Sequence, residues 1–171
     1  MANSISFQYY NVSALTITLA SLANDSATLL TGRESTAVDN GTNVYPDVHV
    51  SGRITTGTSP IASNTIEVWA YGSIEDSPNT VDYPDTISGS DAGVTFTSMN
   101  TKRLGLRPVA RITVDNTSNR SYDFAEVSIA RLFNGVPRHW GIVVINGSGA
   151  ALNSTAGNHF INMKPCGFQV V

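Results

Sequence analysis

The side chains best suited to metal binding or nucleophilic chemistry are few: three histidines, His49, His139 and His159, and one cysteine, Cys166. No two histidines stand three or four residues apart, and no His-Glu-x-x-His pattern occurs. A zinc site would therefore need all three, or carboxylate help, gathered from distant segments. Each reads more simply as a partly exposed strand or loop residue. Cys166 lies in Lys-Pro-Cys-Gly-Phe with His159 nearby in sequence. A working thiol nucleophile also needs its base oriented by a third group, and none is identifiable. A small buried apolar residue is the simpler reading. A single cysteine also excludes an internal disulfide. Ser148, in Gly147-Ser-Gly149, lacks the Gly-x-Ser-x-Gly spacing of a nucleophile elbow and follows Asn146, as a turn residue would.

Carboxylates gather in one stretch: Glu75, Asp76, Asp82, Asp85 and Asp91. A calcium ion would take several such oxygens, but the spacing matches no EF-hand loop. Aspartates that cap turns in a solvated loop account for the same pattern. A glycosidase would need two acids across a cleft, and the low aromatic content argues against a sugar cleft. These screens assign no catalytic, metal or cofactor-binding residue, and the expectation is a protein that is not an enzyme.

Aromatic residues are the stronger signal. Trp69 and Tyr71 alternate with Ile66, Val68 and Ala70, so they occupy the opposite face of one strand. A solvated face does not ordinarily carry a Trp and a Tyr, so they pack either under a loop or against another subunit. Phe7, Tyr9 and Tyr10 add apolar area near the start, with Tyr45. An N-terminal arm over residues 1–13 that reaches a neighbour and an ordinary first strand both fit them. Phe7, Tyr9, Tyr10, Trp69 and Tyr71 are the candidate partner-binding residues.

The elements that must position them are strands. Alternation runs through Leu15, Ile17 and Leu19; through Val48, Val50 and Ile54; through Ile66–Ala70; and through Ile112 and Val114. Val127 and Ile129 alternate about Ser128. Trp140–Ile145 is continuously apolar, as expected of a strand buried on both faces. Phe160–Met163 and Phe168–Val171 follow. Turn clusters separate the runs: Asp39-Asn40-Gly41, Thr58-Ser59-Pro60, the Asp115–Arg120 segment with a hairpin's length, and Asn146-Gly147, a dipeptide suited to close a hairpin. Residues 75–93, with Pro78 and Pro84, form an excursion loop ending in a short strand at Val94–Phe96. Helical periodicity is nearly absent. The predicted fold is all-β: a single-domain β-sandwich over residues 1–171, jelly-roll-like.

Composition narrows the partners. The chain has 171 residues, a net charge of −3 and only 13% charged residues, about half the usual share. Low charge fits a surface that neighbours cover. Lys102, Arg103, Arg107 and Arg111 are interrupted by Pro108 and form no compact patch, so nucleic acid is not an expected partner. No apolar run approaches the roughly 18 residues of a membrane helix. The first residues show neither the basic nor the apolar region of a secretory signal, which leads to the expectation of use without export or membrane insertion. Asn24, Asn40 and Asn146 begin sequons that read as polar turns.

Five segments in order span nearly the whole chain: Ile17-Thr-Leu-Ala-Ser-Leu-Ala23; Gly32-Arg-Glu-Ser-Thr-Ala-Val-Asp-Asn40; Thr56-Gly-Thr-Ser-Pro60; Ile66-Glu-Val-Trp-Ala-Tyr-Gly72; and Trp140-Gly-Ile-Val-Val-Ile-Asn-Gly-Ser-Gly149 with Gly157-Asn-His159. Together they resemble virion structural proteins of tailed bacteriophages of the capsid-decoration, or cement, type. The chain departs from that pattern at Pro46 and in a longer Asp76–Asp85 loop. The resemblance implies a protein made in the bacterial host cytoplasm and located on the virion. It implies the major capsid protein as partner, with self-association as a trimer on a local three-fold axis. The resemblance assigns no ligand or active site. A low-copy neck, tail or fibre part and a carbohydrate-binding sandwich using Trp69, Tyr71 and the loop aspartates are the alternatives.

Overall fold

The computed structural model describes residues 4–75 and 82–170. In chain order the strands are β1 (Ile5–Tyr9), β2 (Ser13–Ala14), β3 (Thr31–Glu34), β4 (Val38–Asp39), β5 (Asp47–Thr55), β6 (Thr65–Ser73), β7 (Ala92–Thr95), β8 (Arg107–Thr113), β9 (Ser121–Ser128), β10 (His139–Gly147) and β11 (Phe160–Val170). Two short helices, α1 (Met99–Gly105) and α2 (Ile129–Phe133), and a 3-10 turn at Ala156–Asn158 complete the elements.

The strands form two antiparallel sheets. One runs β1-β11-β5-β9, with β2 also on β11; the other runs β7-β3-β10-β6-β8, with β4 also on β10. Pairing is nested: β1 with β11, β3 with β10, β5 with β9 and β6 with β8, all antiparallel. The all-β sandwich expected from the alternation is what the chain adopts.

The continuous run Trp140–Ile145 explains why the molecule has two cores. Strand β10 is buried along its whole length. Its side chains alternate between two apolar clusters. Trp140, Ile142 and Val144 point between the sheets, where they meet Val48, Val50 and Ile54 of β5, Ile66, Val68 and Ala70 of β6, and Phe124 and Ile161. Val143 and Ile145 point to the other face of the same sheet and join Tyr71, Ile87, Val94, Phe96 and Leu106. The second cluster exists because the excursion after β6 folds back over the sheet, adding β7 to its edge and α1 to its surface. Asp76 and Pro78 lie outside the described residues.

Charged and polar side chains staple that excursion in place. Glu34, 1% exposed, accepts from the Ser88 amide, the Ser88 hydroxyl and the Gly89 amide at 2.9–3.1 Å. Asp85 accepts from the amide and hydroxyl of Thr97 and from the hydroxyl of Thr101. Asp91 holds Arg33 at 2.6 Å and the amide and hydroxyl of Thr18. Helix α1 starts at a reciprocal Ser98–Thr101 capping box, which satisfies amides that a helix start leaves unpaired. Helix α2 starts on the Ser128 hydroxyl and ends at Asn134 in the left-handed region, φ 60°, as helices commonly end.

Several local expectations are corrected. Leu15 and Leu19 are buried and Ile17 half-buried, but the segment forms no strand and lies outside the ladders, bonded through Leu15 N to Ile161 O and Thr36 N to Thr16 O. Asn146-Gly147 closes no hairpin: Asn146 instead donates to Leu22 O and Ala150 O, and the chain passes to β11 in the opposite sheet. Residues 115–120 likewise carry the chain from β8 in one sheet to β9 in the other. The two C-terminal runs are one strand, β11. Among the described residues, no helix is long and apolar enough to cross a membrane.

Candidate interaction surface

Strand β1 reverses the usual rule for an edge strand. Ile5, Phe7 and Tyr9 are exposed, at 71%, 52% and 59%, whereas Ser6 and Gln8 between them are half-buried. Its apolar side chains therefore point outward and its polar ones inward. Pairing with β11 sets Phe7 opposite Phe168, itself 65% exposed. The two rings meet edge to face at 5.7 Å, and Phe7 meets Tyr9 in the same way at 5.3 Å. These are the geometries that aromatic pairs prefer. The result is an ordered aromatic patch on the outer face of the sheet.

Charge begins where the aromatics end. The Lys164 ammonium lies 4.8 Å from the Tyr9 ring centre, within cation–π range, and the Tyr9 ring touches His49 edge-on at 6.2 Å. His49 stands 3.2 Å from Asp47 and 3.4 Å from Glu126. Farther along the same face Arg53 forks onto Asp123 at 2.7 and 3.1 Å and stacks over Phe160. The Arg53 pairing holds the Asp123 carboxyl below the ordinary carboxylate range. The face thus grades from an uncharged aromatic end at β1 to paired charges over β5 and β9.

The five residues singled out in the sequence divide into three places. Phe7 and Tyr9 sit on the exposed patch. Tyr10, 37% exposed, turns the other way and packs against Tyr45 with ring centres 5.0 Å apart; the two help line a cleft of about 360 Å³ with Asn11, Asn40 and Asn43. Trp69 and Tyr71 belong to the covered face of β6. Tyr71 is fully buried and donates its hydroxyl to Ser35 O at 2.7 Å; burial pushes its phenol well above the usual range. Tyr71 therefore offers nothing to a partner. Trp69 is half-buried, donates its indole N–H to Glu67 at 3.0 Å and lies 5.1 Å from the fully buried Lys102 ammonium. Of the two settings open to this pair, Tyr71 takes packing under the loop, against Tyr83 and Ile87, while Trp69 lies beside Lys102 of α1 and stays partly exposed. Ile5 and Phe168 were missed, although the alternation of Ile5, Phe7 and Tyr9 with Ser6 and Gln8 was available as a signal.

The chemistry-bearing residues are occupied with structure. His139 and His159 are buried rather than partly exposed. The His159 ring accepts from the Thr55 amide at 3.2 Å and donates to Asn153 O at 2.8 Å. His139 bonds to Glu75 O at 3.0 Å. Cys166 is buried, its thiol lies 3.8 Å from Lys164 O, and burial raises its pKa. Ser148 donates its hydroxyl to Asn146 and Ala150 O inside a turn. Among the described residues no group of three or more His, Cys, Asp or Glu side chains could hold a metal ion. The feature best suited to recognition is the aromatic patch on β1 and β11. Compared with known proteins, the chain matches no protein-family model, no curated protein and no solved structure.

Proposed function

We propose that the chain is a structural virion protein that binds the outer surface of a tailed-bacteriophage capsid and cements it by bridging capsomers. The observation that carries the binding role is the reversed strand β1, which exposes Ile5, Phe7 and Tyr9 beside Phe168 while Ser6 and Gln8 are half-buried. Water alone gives no reason for this arrangement; a contiguous exposed aromatic patch marks a contact surface. The resemblance to decoration proteins supplies the major capsid protein as the partner. Nested strand pairing across two sheets also agrees with a jelly roll, an architecture found among capsid proteins. In this reading the protein is made in the host cytoplasm and ends on the virion surface. Each copy contributes a small apolar contact, and repetition over the shell lattice supplies avidity.

The carbohydrate-binding alternative rests on the half-exposed Trp69 alone, because Tyr71 is buried and Asp85 and Asp91 bond to Thr97, Thr101, Thr18 and Arg33. The test is reconstitution: purified protein is co-sedimented with shells that lack it. Phe168→Asp places a charge in the middle of the aromatic patch without touching either core. Its expected effect is at least a tenfold loss of shell binding, which is about 1.4 kcal/mol, with an unchanged melting temperature. Shell binding by Phe168→Asp equal to that of the unaltered protein would overturn the proposal.

A further inference from the structure

The open edge of β1 has a second property that the aromatic face does not explain. In an antiparallel ladder, residues whose backbone groups bond to the neighbour alternate with residues whose groups point away. The Tyr10 amide donates to Pro165 O at 2.9 Å, in register with the β1–β11 pairing. That bond fixes the phase. Tyr10, Gln8 and Ser6 turn their backbone groups toward β11. Tyr9, Phe7 and Ile5 turn theirs toward the open edge, where no other strand pairs among the described residues.

Proteins ordinarily guard such an edge with a charge, a proline, a bulge or a covering loop. Among the described residues, strand β1 has none of these. Residues 4–13 contain no charged side chain and no proline, and the β1–β11 register is unbroken. The pattern of β1 is also symmetric about Phe7: apolar Ile5 and Tyr9 stand two residues to either side, and polar Ser6 and Gln8 one residue to either side.

We infer that β1 pairs antiparallel with β1 of a second copy of this chain, about a two-fold axis through Phe7. In this register Phe7 meets Phe7, Ile5 meets Tyr9 and Tyr9 meets Ile5. All three are the residues whose amides and carbonyls point to the edge, so every pair exchanges both backbone hydrogen bonds. Like meets like across the axis, as an isologous contact requires. The uncharged strands do not repel one another. The two sheets join into one, and the two aromatic patches merge on a single outer face. This inference does not depend on the capsid reading, since it concerns the pure protein.

The experiment is the mass of the full chain in solution, by sedimentation equilibrium or light scattering, from about 1 to 500 µM because a short strand pair is a small interface. The unaltered protein is expected to rise from 18.2 kDa to twice that mass with concentration. Phe7→Lys and Phe7→Glu each set like charges against each other at the axis and are expected to stay monomeric. An equimolar mixture of the two is expected to regain the doubled mass, which also proves that both variants fold. A monomer throughout the range, a trimer, a dimer of Phe7→Lys alone, or a mixture that stays monomeric would each overturn the inference.

Discussion

Replacing Lys102 by Met tests the argument that the sheet face bearing Trp69 and Tyr71 is a second core and not a docking surface. Lys102 is 0% exposed, and its ammonium donates to Leu29 O at 2.5 Å and to Glu67 at 3.0 Å. Glu67 is itself only 8% exposed. Met keeps most of the volume of the lysine stem, so the cavity term is small. What remains is a buried carboxylate that keeps the Trp69 N–H bond but loses its counter-charge, and removing one partner of a buried pair costs about 3–5 kcal/mol. Glu67→Leu strands the ammonium and is expected to cost about as much. The double variant removes both charges and is expected within about 2 kcal/mol of the original, because apolar replacements of buried pairs are often near neutral. The two single losses then do not add, and a double-mutant cycle reads the difference. Equilibrium urea unfolding followed by tryptophan fluorescence serves as the assay, since Trp69 adjoins the pair. Singles that each cost less than about 1 kcal/mol, or costs that simply add, would refute the reasoning.

Two further predictions concern local structure. Asp25 is partly buried, which opposes its ionisation, yet bonds from the Thr28 hydroxyl and from the amides of Thr31, Leu30 and Thr28 outweigh that and bring its pKa to about 2. Because the folded value is depressed, its contribution is whole above the unfolded value of 3.8 and is lost as pH falls through about 2. The stability gap between the unaltered protein and Asp25→Asn should therefore be constant at neutral pH and close across that window; a gap unchanged at pH 2 would contradict this. Gly141 stands opposite Tyr71 in the β10–β6 pairing, and a Cβ there would overlap the Tyr71 ring. Gly141→Ala is expected to cost about 1–3 kcal/mol by overpacking, and a melting temperature equal to the original would show that the ring has room to move.

Strands β5, β6 and β10 were legible because alternation and a continuous apolar run report burial directly. Their assignment to sheets was not. Asn146-Gly147 and the segment 115–120 have the chemistry of hairpin turns, yet each leads to a strand in the other sheet. Turn residues fix how the chain bends, and the partner is chosen by which apolar faces meet. The same limit applies to the aromatics. Period-two alternation placed Trp69 and Tyr71 on one face of β6, but only the return of residues 82–106 over that face decides what covers them. For β1, the alternation of Ile5, Phe7 and Tyr9 with Ser6 and Gln8 stands in the sequence, but nothing local says that this group faces outward. The helices were missed because seven and five residues are too few to show a period. Their local signals were the Ser98–Thr101 pair and the Ser128 cap.

The proposal that this protein cements a capsid is tested most directly by its copy number in purified virions of the source phage, quantified against the major capsid protein. The expected ratio is within a few-fold of one to one, as for a protein spread over the shell. A handful to a few dozen copies would contradict it and place the chain in a neck, tail or fibre, and complete absence from the particle would remove the virion role altogether.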